Sequence, residues 1–470
     1  MEPLVITIPA NNYQPELGYI LEVIIKDFLG LEYLVEKYDK EQIKIMLRGD
    51  LMHKQLIIEN VLFNIPSDEW LKEESLPPSP FSHWVVEDDL PEAKVCDKVV
   101  PIIYGKRISN GRYFSQGDNF LHLGLDVFGS SFFMLTQYEE LVLPERDEHE
   151  RFPAKASLAF KEGFLERPIV DEYCEILWSC MKRLWPKLER KKRDYRLILS
   201  HDVDHPLCAV RKPWYSVIRN SVGDMVRRKD MALAFSRLKA RAFESYNIDP
   251  YNTFDFIMNA SEQYGMKSAF YFKSGFSNNR FDVNYSLDMP WIQDLMRSIY
   301  ERGHEIGLHT SYETYRDLNK TLAEFRSLLH VANKLGIVQQ GWGGRQHYLR
   351  WKNPITWRIW EKVGLDYDST LGFAEHVGFR CGTCYEFRVF DLEKRKALHL
   401  RERPLIAMDG TLFAWQYMAL QPDQALKKIQ HLSSICCRFN GVFTLLWHNS
   451  SLAGSWQKRM YLEILRTIAK

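Results

Sequence analysis

The sequence of 470 residues has almost no net charge, with 62 lysines and arginines against 61 aspartates and glutamates. Proteins that hold nucleic acid electrostatically carry a basic surplus, so we do not expect a nucleic-acid partner. No apolar run approaches the about 18 residues that a membrane-spanning helix needs. The N-terminus lacks the basic and apolar regions of a signal peptide, so we expect a cytoplasmic protein.

Cysteine is also scarce, with 8 residues scattered along the chain. The C-x-x-C motif at Cys381 and Cys384 has no second pair, which a zinc ribbon would require. We therefore expect packed, reduced thiols of the kind found in cytosolic proteins.

A charged segment at 186–194 is the clearest boundary in a chain long enough for two domains. Before it, helical spacing of apolar residues predicts helices over 19–34 and from Pro168 to Leu184, and 55–64 and 99–104 resemble strands. We predict a smaller mixed α+β domain over residues 1–190 and a second domain over 191–470.

From residue 195 onward, short apolar runs alternate with helical patterns, which is typical of βα units around parallel strands. Titratable residues follow these runs, and active sites of β/α barrels are built at the C-terminal ends of the strands. An open doubly wound sheet would give a similar pattern, but no Gly-rich phosphate loop follows the first run, so a barrel is favoured. The apolar runs, each with the titratable residues that follow it, are 197–200 with Asp202 and Asp204, 268–272 with Lys273, 305–308 with His309, 337–338 with Arg345 and His347, 365–367 with Asp368, and 441–447 with His448.

These residues also occur in the order of a known family. The chain resembles the polysaccharide deacetylase superfamily, carbohydrate esterase family 4, over residues 195 to about 455. The resemblance implies an α/β fold with a C-terminal distorted (β/α) barrel, and residues 1–190 more weakly resemble a companion domain found ahead of such barrels. The motifs that carry it are Ser-His-Asp202-Val-Asp204, Gly-His-Glu-Ile-Gly-Leu-His309, Gly-Arg345-Gln-His347, Asp-Tyr-Asp368-Ser-Thr and Leu-Leu-Trp447-His448.

The resemblance implies a hydrolase that removes an N-acyl group, such as acetyl, from an amino sugar or polysaccharide precursor. A divalent metal would activate the water, zinc being the first candidate and nickel, cobalt or iron the alternatives. Carried over residue by residue, the roles are base for Asp202, metal ligand for Asp204 and His309, support of the base for Arg345 and acid for His448. From their positions we also predict a catalytic role for Asp368 and substrate binding by Lys273 and Trp447. The alternatives are a surface lysine at a turn for Lys273 and core packing for Trp447.

The sequence departs from the family pattern at the third metal ligand. The family places a second histidine four residues after the first, where this chain has Glu313. Glutamate can bind zinc, but His347 is our preferred third ligand, with His205 a more remote candidate. The roles of Asp202 and Asp204 could also be exchanged. Two other functions stay open, a hydrolase of a small non-sugar amide or imide, and a catalytically silent barrel that binds a glycan or a partner.

One insertion departs from the neutral balance of the chain. Residues 211–241 hold nine basic and two acidic residues, a net charge of +7, with apolar residues interleaved. A solvated helical cover is one interpretation. The other is a contact with an anionic membrane surface or a sugar diphosphate, through a patch of Arg227, Arg228, Lys229, Arg237 and Lys239.

Overall fold

The computed structural model of the protein describes residues 2–108, 111–277, 279–282 and 285–469. The outer ends of the two predicted domains, Met1 and Lys470, lie outside the described residues. The first part mixes helices and strands. Its strands are β1 Leu4–Pro9, β2 Tyr33–Tyr38, β3 Ile43–Leu47, β4 Gln55–Ile58, β5 Ser82–Val85, β6 Val99–Ile102, β7 Phe114–Gln116 and β8 Phe120–Leu123. Its helices are α1 Gln14–Leu21, α2 Val86–Asp89, α3 Val127–Leu135, α4 Tyr138–Val142, α5 Leu158–Lys161 and α6 Ile169–Leu184.

Six of these strands form one sheet in the order β2-β1-β3-β4-β8-β7. The helix predicted over 19–34 begins and ends earlier than predicted: α1 starts at Gln14 and continues as a π-helical segment, Glu22–Phe28. Gly30 follows with φ of +70°, a left-handed conformation that ends helices, and the chain re-enters the sheet as β2. The predicted strand over 55–64 likewise ends at Ile58, whereas the helix predicted to end at Leu184 is confirmed.

The second part alternates strands and helices. Its strands are β9 Arg196–Val203, β10 Ser268–Lys273, β11 Glu305–His309, β12 Gly343–Arg345, β13 Tyr367–Asp368, β14 Phe387–Asp391, β15 Lys396–Glu402, β16 Ala407–Met408 and β17 Val442–Leu446. Its helices are α7 Trp214–Val226, α8 Met231–Ala242, α9 Phe254–Gln263, α10 Pro290–Glu301, α11 Leu318–Lys334, α12 Ile355–Val363, α13 Asp409–Phe413, α14 Pro422–Arg438 and α15 Ser455–Ile468.

The nine strands form one sheet in the order β14-β15-β13-β12-β11-β10-β9-β17-β16, and all but β14 run parallel to their neighbours. The predicted α/β class with parallel strands is therefore confirmed. The two ends of this order, β14 and β16, do not pair with each other within the described residues. Because parallel strands end at a common edge, the residues that follow them are brought together there.

The fourth strand of this series does not lie where the sequence predicted it. Ile337 and Val338 form no strand; β12 begins at Gly343 and is rich in glycine, which has little intrinsic strand preference. It pairs with β11 on one side and β13 on the other. A side chain at Gly344 would collide with the Leu308 carbonyl of β11, so glycine permits this close approach.

The hydrophobic core is continuous across the two parts of the chain, with members from Leu4 to Ile468. Polar contacts also join them. Arg380 donates from Nε to Glu140 at 2.9 Å and from Nη1 to the Gly372 carbonyl at 2.9 Å, and both charged side chains are buried. Burial raises the pKa of Glu140, and the Arg380 guanidinium opposes that rise. These contacts join residues on both sides of position 190, so the predicted domain boundary there stays a prediction.

Replacing Arg380 with Met should lower the free energy of unfolding by about 3–5 kcal/mol, because Glu140 is left as a buried charge without its partner. Urea denaturation followed by tryptophan fluorescence would measure the change. The double variant Glu140→Gln/Arg380→Met should recover part of the loss, since neither charge remains. The matched control is Arg466→Met, which removes the exposed pair with Glu463 and should change stability by less than about 1 kcal/mol. Equal effects of the two single variants would contradict the prediction.

Among the described residues no helix is both long enough and apolar enough to cross a membrane. The eight cysteines are free thiols, of which Cys437 is exposed and Cys96 half-buried. Cys384 lies against Asp171, with its Sγ 3.1 Å from the carboxylate, and Cys381 is buried in the core. The expectation of packed thiols at the C-x-x-C motif is confirmed, whereas a cytoplasmic location stays a prediction.

Candidate functional site

A cavity of about 270 Å³ opens at the C-terminal edge of the parallel sheet. Residues at or just beyond the C-terminal ends of β9, β11, β12 and β17 line it, as the strand pairing requires. His309 and Arg345 are direct neighbours in register, and so are Lys273 and His309. The sequence-predicted residues on its wall are Asp202, Asp204, His309, His347 and His448.

Three side chains in this cavity point ligand atoms at one another. Oδ1 of Asp204 lies 3.1 Å from Nε2 of His309 and 3.2 Å from Nε2 of His347. One ligand atom from each residue falls within 4.8 Å of the others. Both imidazoles are buried, at 1% and 5% exposure, and the Asp204 side chain is 19% exposed toward the cavity.

Each imidazole is oriented through its other nitrogen. Nδ1 of His309 lies 2.9 Å from the Arg345 carbonyl, and Nδ1 of His347 lies 2.7 Å from Oδ1 of Asp282. Both partners accept hydrogen bonds, which places the ring proton on Nδ1 and leaves the lone pair of Nε2 directed into the cluster. Metal-binding histidines are held in this way by carbonyl and carboxylate groups.

The donor atoms fit a divalent ion. Oδ1 of Asp204 and Nε2 of His309 are buried without a hydrogen-bond partner despite their short separation. Unpaired buried polar atoms are costly, and a cation between them would satisfy both. Bonds of about 2.0 Å in tetrahedral geometry place ligand atoms about 3.3 Å apart, close to the separations observed here. Two imidazoles with one carboxylate suit zinc and also nickel, cobalt or iron.

The charges of the cluster reinforce this fit. Burial disfavours the ionised form of Asp204, yet His347 and His309 hold the pKa of its carboxyl well below the ordinary value. Burial also opposes protonation of His347, but the charge of Asp204 raises the pKa of that imidazole. Protons therefore compete with a metal for His347, and metal affinity should fall as the pH is lowered.

Asp202, on β9, is held by Arg345, which ends β12; β10 and β11 lie between these two strands in the sheet. Nη1 of Arg345 donates to Oδ1 of Asp202 at 2.8 Å, and the guanidinium also donates to the backbone carbonyl and hydroxyl of Ser369 and to Oγ of Ser200. Arg345 is completely buried, so its fork has a fixed direction. Oδ2 of Asp202 lies 3.8 Å from Nδ1 of His309, which places the carboxylate beside the metal-ligand cluster.

On the other side of the cluster stands His448. Its Nδ1 lies 2.7 Å from Oδ1 of Asp409, and its Nε2 lies 3.5 Å from Oδ2 of Asp204. Burial lowers the pKa of this imidazole, but the charge and hydrogen bond of Asp409 outweigh burial and raise the pKa of His448 to about 10. His448 is therefore a protonated group at neutral pH that faces the cavity, as a general acid requires.

Three other predicted site residues lie beside the cavity and are not among the described residues that line it. Asp368 is buried, accepts from the Thr370 amide at 3.0 Å, and burial raises its pKa to about 7. Lys273 is ion-paired with Asp282, and its Nζ lies 3.2 Å from Nδ1 of His347. Trp447 is buried against Phe413 and Tyr461. Their roles in catalysis and substrate binding stay predictions.

The two alternatives for the third metal ligand, Glu313 and His205, occupy different positions relative to the cluster. Glu313 is exposed and binds Asn279 at 3.1 Å and Lys320 at 3.4 Å, apart from the cluster. His205 lines the cavity, and burial lowers its pKa. Of the candidates weighed from the sequence, His347 is the one whose ring nitrogen meets Asp204 and His309.

The first part of the chain contributes Arg151 to the lining of the cavity. Arg151 donates from Nη1 to the Tyr348 carbonyl at 3.0 Å and is held by Asp147 through Nε at 2.7 Å. Tyr348 itself has φ of +61°, a conformation that non-glycine residues adopt at a cost, directly after His347. The sequence analysis gave no role to Arg151, Asp282 or Asp409; of these, only Asp409 follows a strand end, and that strand is two residues long.

Comparison with known proteins gives distant likenesses. The model of a family of unknown function, DUF7033, matches residues 4–186. No curated protein matches the chain. Among solved structures, a Mycobacterium smegmatis protein described as a polysaccharide deacetylase is 15% identical, with a TM-score of 0.38 over 59% of this chain and 85% of that chain.

Two further solved structures are similar at the same level. The Puue allantoinase is 11% identical, with a TM-score of 0.35 over 58% of this chain and 83% of its own. Agd3, a carbohydrate deacetylase, is 8% identical, with a TM-score of 0.34 over 99% of this chain and 85% of its own. These likenesses are too distant to assign an activity, so the chemistry has to come from the residues of the cavity.

Proposed function

We propose that this protein is a metal-dependent amide hydrolase that removes an N-acyl group, such as acetyl, from an amino sugar or polysaccharide precursor. The observation that carries the proposal is the convergence of Asp204, His309 and His347, with two of their buried ligand atoms unpaired, between Asp202 and His448. Amide hydrolysis needs a proton acceptor, a proton donor and stabilisation of developing negative charge, and this cavity supplies a candidate for each.

Asp204, His309 and His347 would hold the metal. A divalent ion bound there acidifies a water and polarises the acyl carbonyl. Asp202 takes the proton of the attacking water, and Arg345 fixes the direction of its carboxylate through the hydrogen bond of 2.8 Å. His448 gives its proton to the amine nitrogen as the carbon–nitrogen bond breaks. One water is consumed, and one carboxylate and one amine are released.

The proposal extends to the architecture that the resemblance implies. Residues 191–470 would form a distorted β/α barrel and residues 1–190 a companion domain, with zinc as the first choice of metal. The parallel order of the strands and the cavity at their C-terminal edge support this. The contact of Arg151 with Tyr348 gives the companion domain a part in shaping the substrate site.

The proposal is tested on the purified full chain. Elemental analysis should find about one equivalent of zinc, nickel, cobalt or iron. Incubation with N-acetylated glucosamine oligomers should release acetate, a chelator should abolish the release, and adding back the metal should restore it. A chain without stoichiometric metal contradicts the metal centre. Metal binding without release of acyl groups from any amino sugar tested contradicts the hydrolase and favours a silent binding site.

The third ligand is tested separately by His347→Ala and Glu313→Ala. We expect His347→Ala to lower metal affinity by more than the about 10- to 100-fold that loss of an outer partner costs. Glu313→Ala should leave the affinity unchanged, because its carboxylate binds Asn279 and Lys320 instead. Competition with a chromogenic chelator measures both affinities. The reverse order of effects would make Glu313 the ligand.

Asp409→Asn tests how His448 is held in its protonated form. Loss of the negative charge should lower the pKa of His448 from about 10 toward the ordinary histidine value of about 6.5. Since a general acid acts only when protonated, the alkaline limb of the kcat/KM profile should move to lower pH. Profiles between pH 6 and 11 measure the shift. Asp423→Asn, at an exposed helix start, is the control, and an unmoved limb in Asp409→Asn would exclude this coupling.

A further inference from the structure

The insertion between β9 and α9 forms a pair of helices, α7 and α8, which with the residues just before α7 we call the basic hairpin, residues 211–243. Both ends of the inserted segment are tied to the rim of the candidate site. Nδ2 of Asn449 donates to the His205 carbonyl at 3.0 Å and to the Tyr251 carbonyl at 2.8 Å. Asn449 directly follows His448, so the basic hairpin is rooted beside the cavity.

The basic hairpin exposes large apolar side chains in a regular pattern. On α7 they recur at every fourth residue, which places them on one stripe of the helix surface. Trp214 is 45% exposed, Ile218 50%, Val222 47% and Val226 70%, and Tyr215 lies beside them. Three more large apolar side chains are exposed on α8 and at its end: Met231, Phe235 and Phe243. Exposed apolar patches of this kind mark interaction surfaces.

The charge on the surface of the basic hairpin is positive. Its two acidic residues are engaged internally. Asp224 is buried and paired with Arg237, and Asp230 accepts from the Leu233 amide at the start of α8. Arg237, which the sequence analysis placed in the basic patch, is 2% exposed and belongs to this internal pair instead. The exposed basic side chains of the segment are Arg211, Arg219, Arg227, Arg228, Lys229 and Lys239.

We propose that the basic hairpin docks the protein on an anionic lipid bilayer, with α7 and α8 lying in the interface. A bilayer of this kind offers negative headgroups above an apolar layer, which matches basic side chains beside an apolar stripe. Tryptophan and tyrosine, here Trp214 and Tyr215, favour the same depth. A second copy of the chain would bring two positive surfaces together, so charge disfavours that occupant.

The distribution of charge orients the protein on the bilayer. The whole chain has a net charge of +1, whereas residues 211–241 hold +7, so the remainder carries −6. An anionic surface therefore attracts the hairpin and repels the rest of the chain. Because both ends of the insertion are tied beside His448, docking holds the candidate site next to the membrane surface. This inference does not depend on the proposed hydrolysis.

Co-sedimentation of the purified full chain with vesicles tests the docking. We expect binding to phosphatidylcholine vesicles that contain 30% phosphatidylglycerol, little binding to pure phosphatidylcholine, and loss of binding as salt rises. The charge variant Arg227→Glu/Lys229→Glu/Lys239→Glu should weaken the partition by about 100-fold or more, since each basic residue near the surface contributes about fivefold. The apolar variant Ile218→Ser/Phe235→Ser should weaken it independently.

The matched control makes the same change in total charge at positions outside the basic hairpin. Lys334→Glu/Lys362→Glu/Lys394→Glu reverses three exposed lysines on other elements and should bind as the wild type does. Circular dichroism checks that all variants are folded. Negligible binding of the wild type to anionic vesicles overturns the proposal, and so does equal weakening by the control. Sedimentation that shows a dimer, abolished by Ile218→Ser/Phe235→Ser, without vesicle binding would assign the stripe to self-association.

Discussion

Asp204→Ala should abolish both metal binding and the proposed amide hydrolysis, because this carboxylate is the residue that both His309 and His347 face. With its Oδ1 removed, two imidazoles remain as ligands, fewer than the three protein ligands of catalytic zinc sites. Activity should fall to the level of the chelated wild type. The bound metal should also cease to stabilise the fold, a contribution of about 4 kcal/mol when free metal is at 1,000 times its Kd.

Two measurements follow this change. Elemental analysis gives the metal content of the variant, and thermal denaturation with and without added zinc gives the stabilisation. The control is Asp288→Ala, which removes an exposed carboxylate and should leave both unchanged. Full metal occupancy in Asp204→Ala would exclude Asp204 as a ligand, and the exchange of roles with Asp202 would then be the assignment to examine.

Asp202→Asn should lower kcat/KM by about 10²- to 10⁴-fold while the metal stays bound, since general-base catalysis contributes about this much. Asparagine has nearly the shape of aspartate and can still accept the hydrogen bond from Arg345, but it cannot take up the proton of the attacking water. The loss should appear mainly in kcat, because the side chain is proposed to act in the transition state rather than in binding.

The metal content of Asp202→Asn separates the two roles that the sequence left interchangeable. A variant with normal metal and little activity identifies Asp202 as the base. A variant that has lost its metal would make Asp202 a ligand instead. Activity within about threefold of the wild type would remove Asp202 from the mechanism, and Asp288→Asn, at an exposed position before α10, provides the reference for a neutral change.

The edge that carries the candidate site could be predicted from the sequence because of a simple geometric rule. Polar residues directly after apolar runs become neighbours when the runs are parallel strands, whatever their separation along the chain. Asp202 and His309 lie at the ends of β9 and β11, and His448 lies just after β17; all three strands are well-marked apolar runs, and the structure brings the three residues to one cavity. The roles carried over from the resemblance remain proposals at these positions.

Asp409, Asp282 and the position of β12 could not be predicted, because the sequence around them gives no local signal. Asp409 follows a strand of two residues, β16, which forms only because β17 pairs with it. Asp282 lies in the loop after β10 and reaches His347 through tertiary contact alone. The position of β12 was missed for the same reason, since Gly343 and Gly344 become a strand through their neighbours on both sides. Short pairings of this kind leave no periodic pattern.

The place of Arg151 in the lining of the cavity has a consequence for how the chain can be divided or recombined in the laboratory. A fragment that starts after residue 190 would keep Asp202, Asp204, His309 and His448, yet it would lack Arg151, which lines the same cavity. It would also expose the surface that Arg380 and Glu140 now bury. Exchanging the first part alone would therefore change two things at once, the side chain at position 151 in the cavity and the carboxylate that now pairs with Arg380.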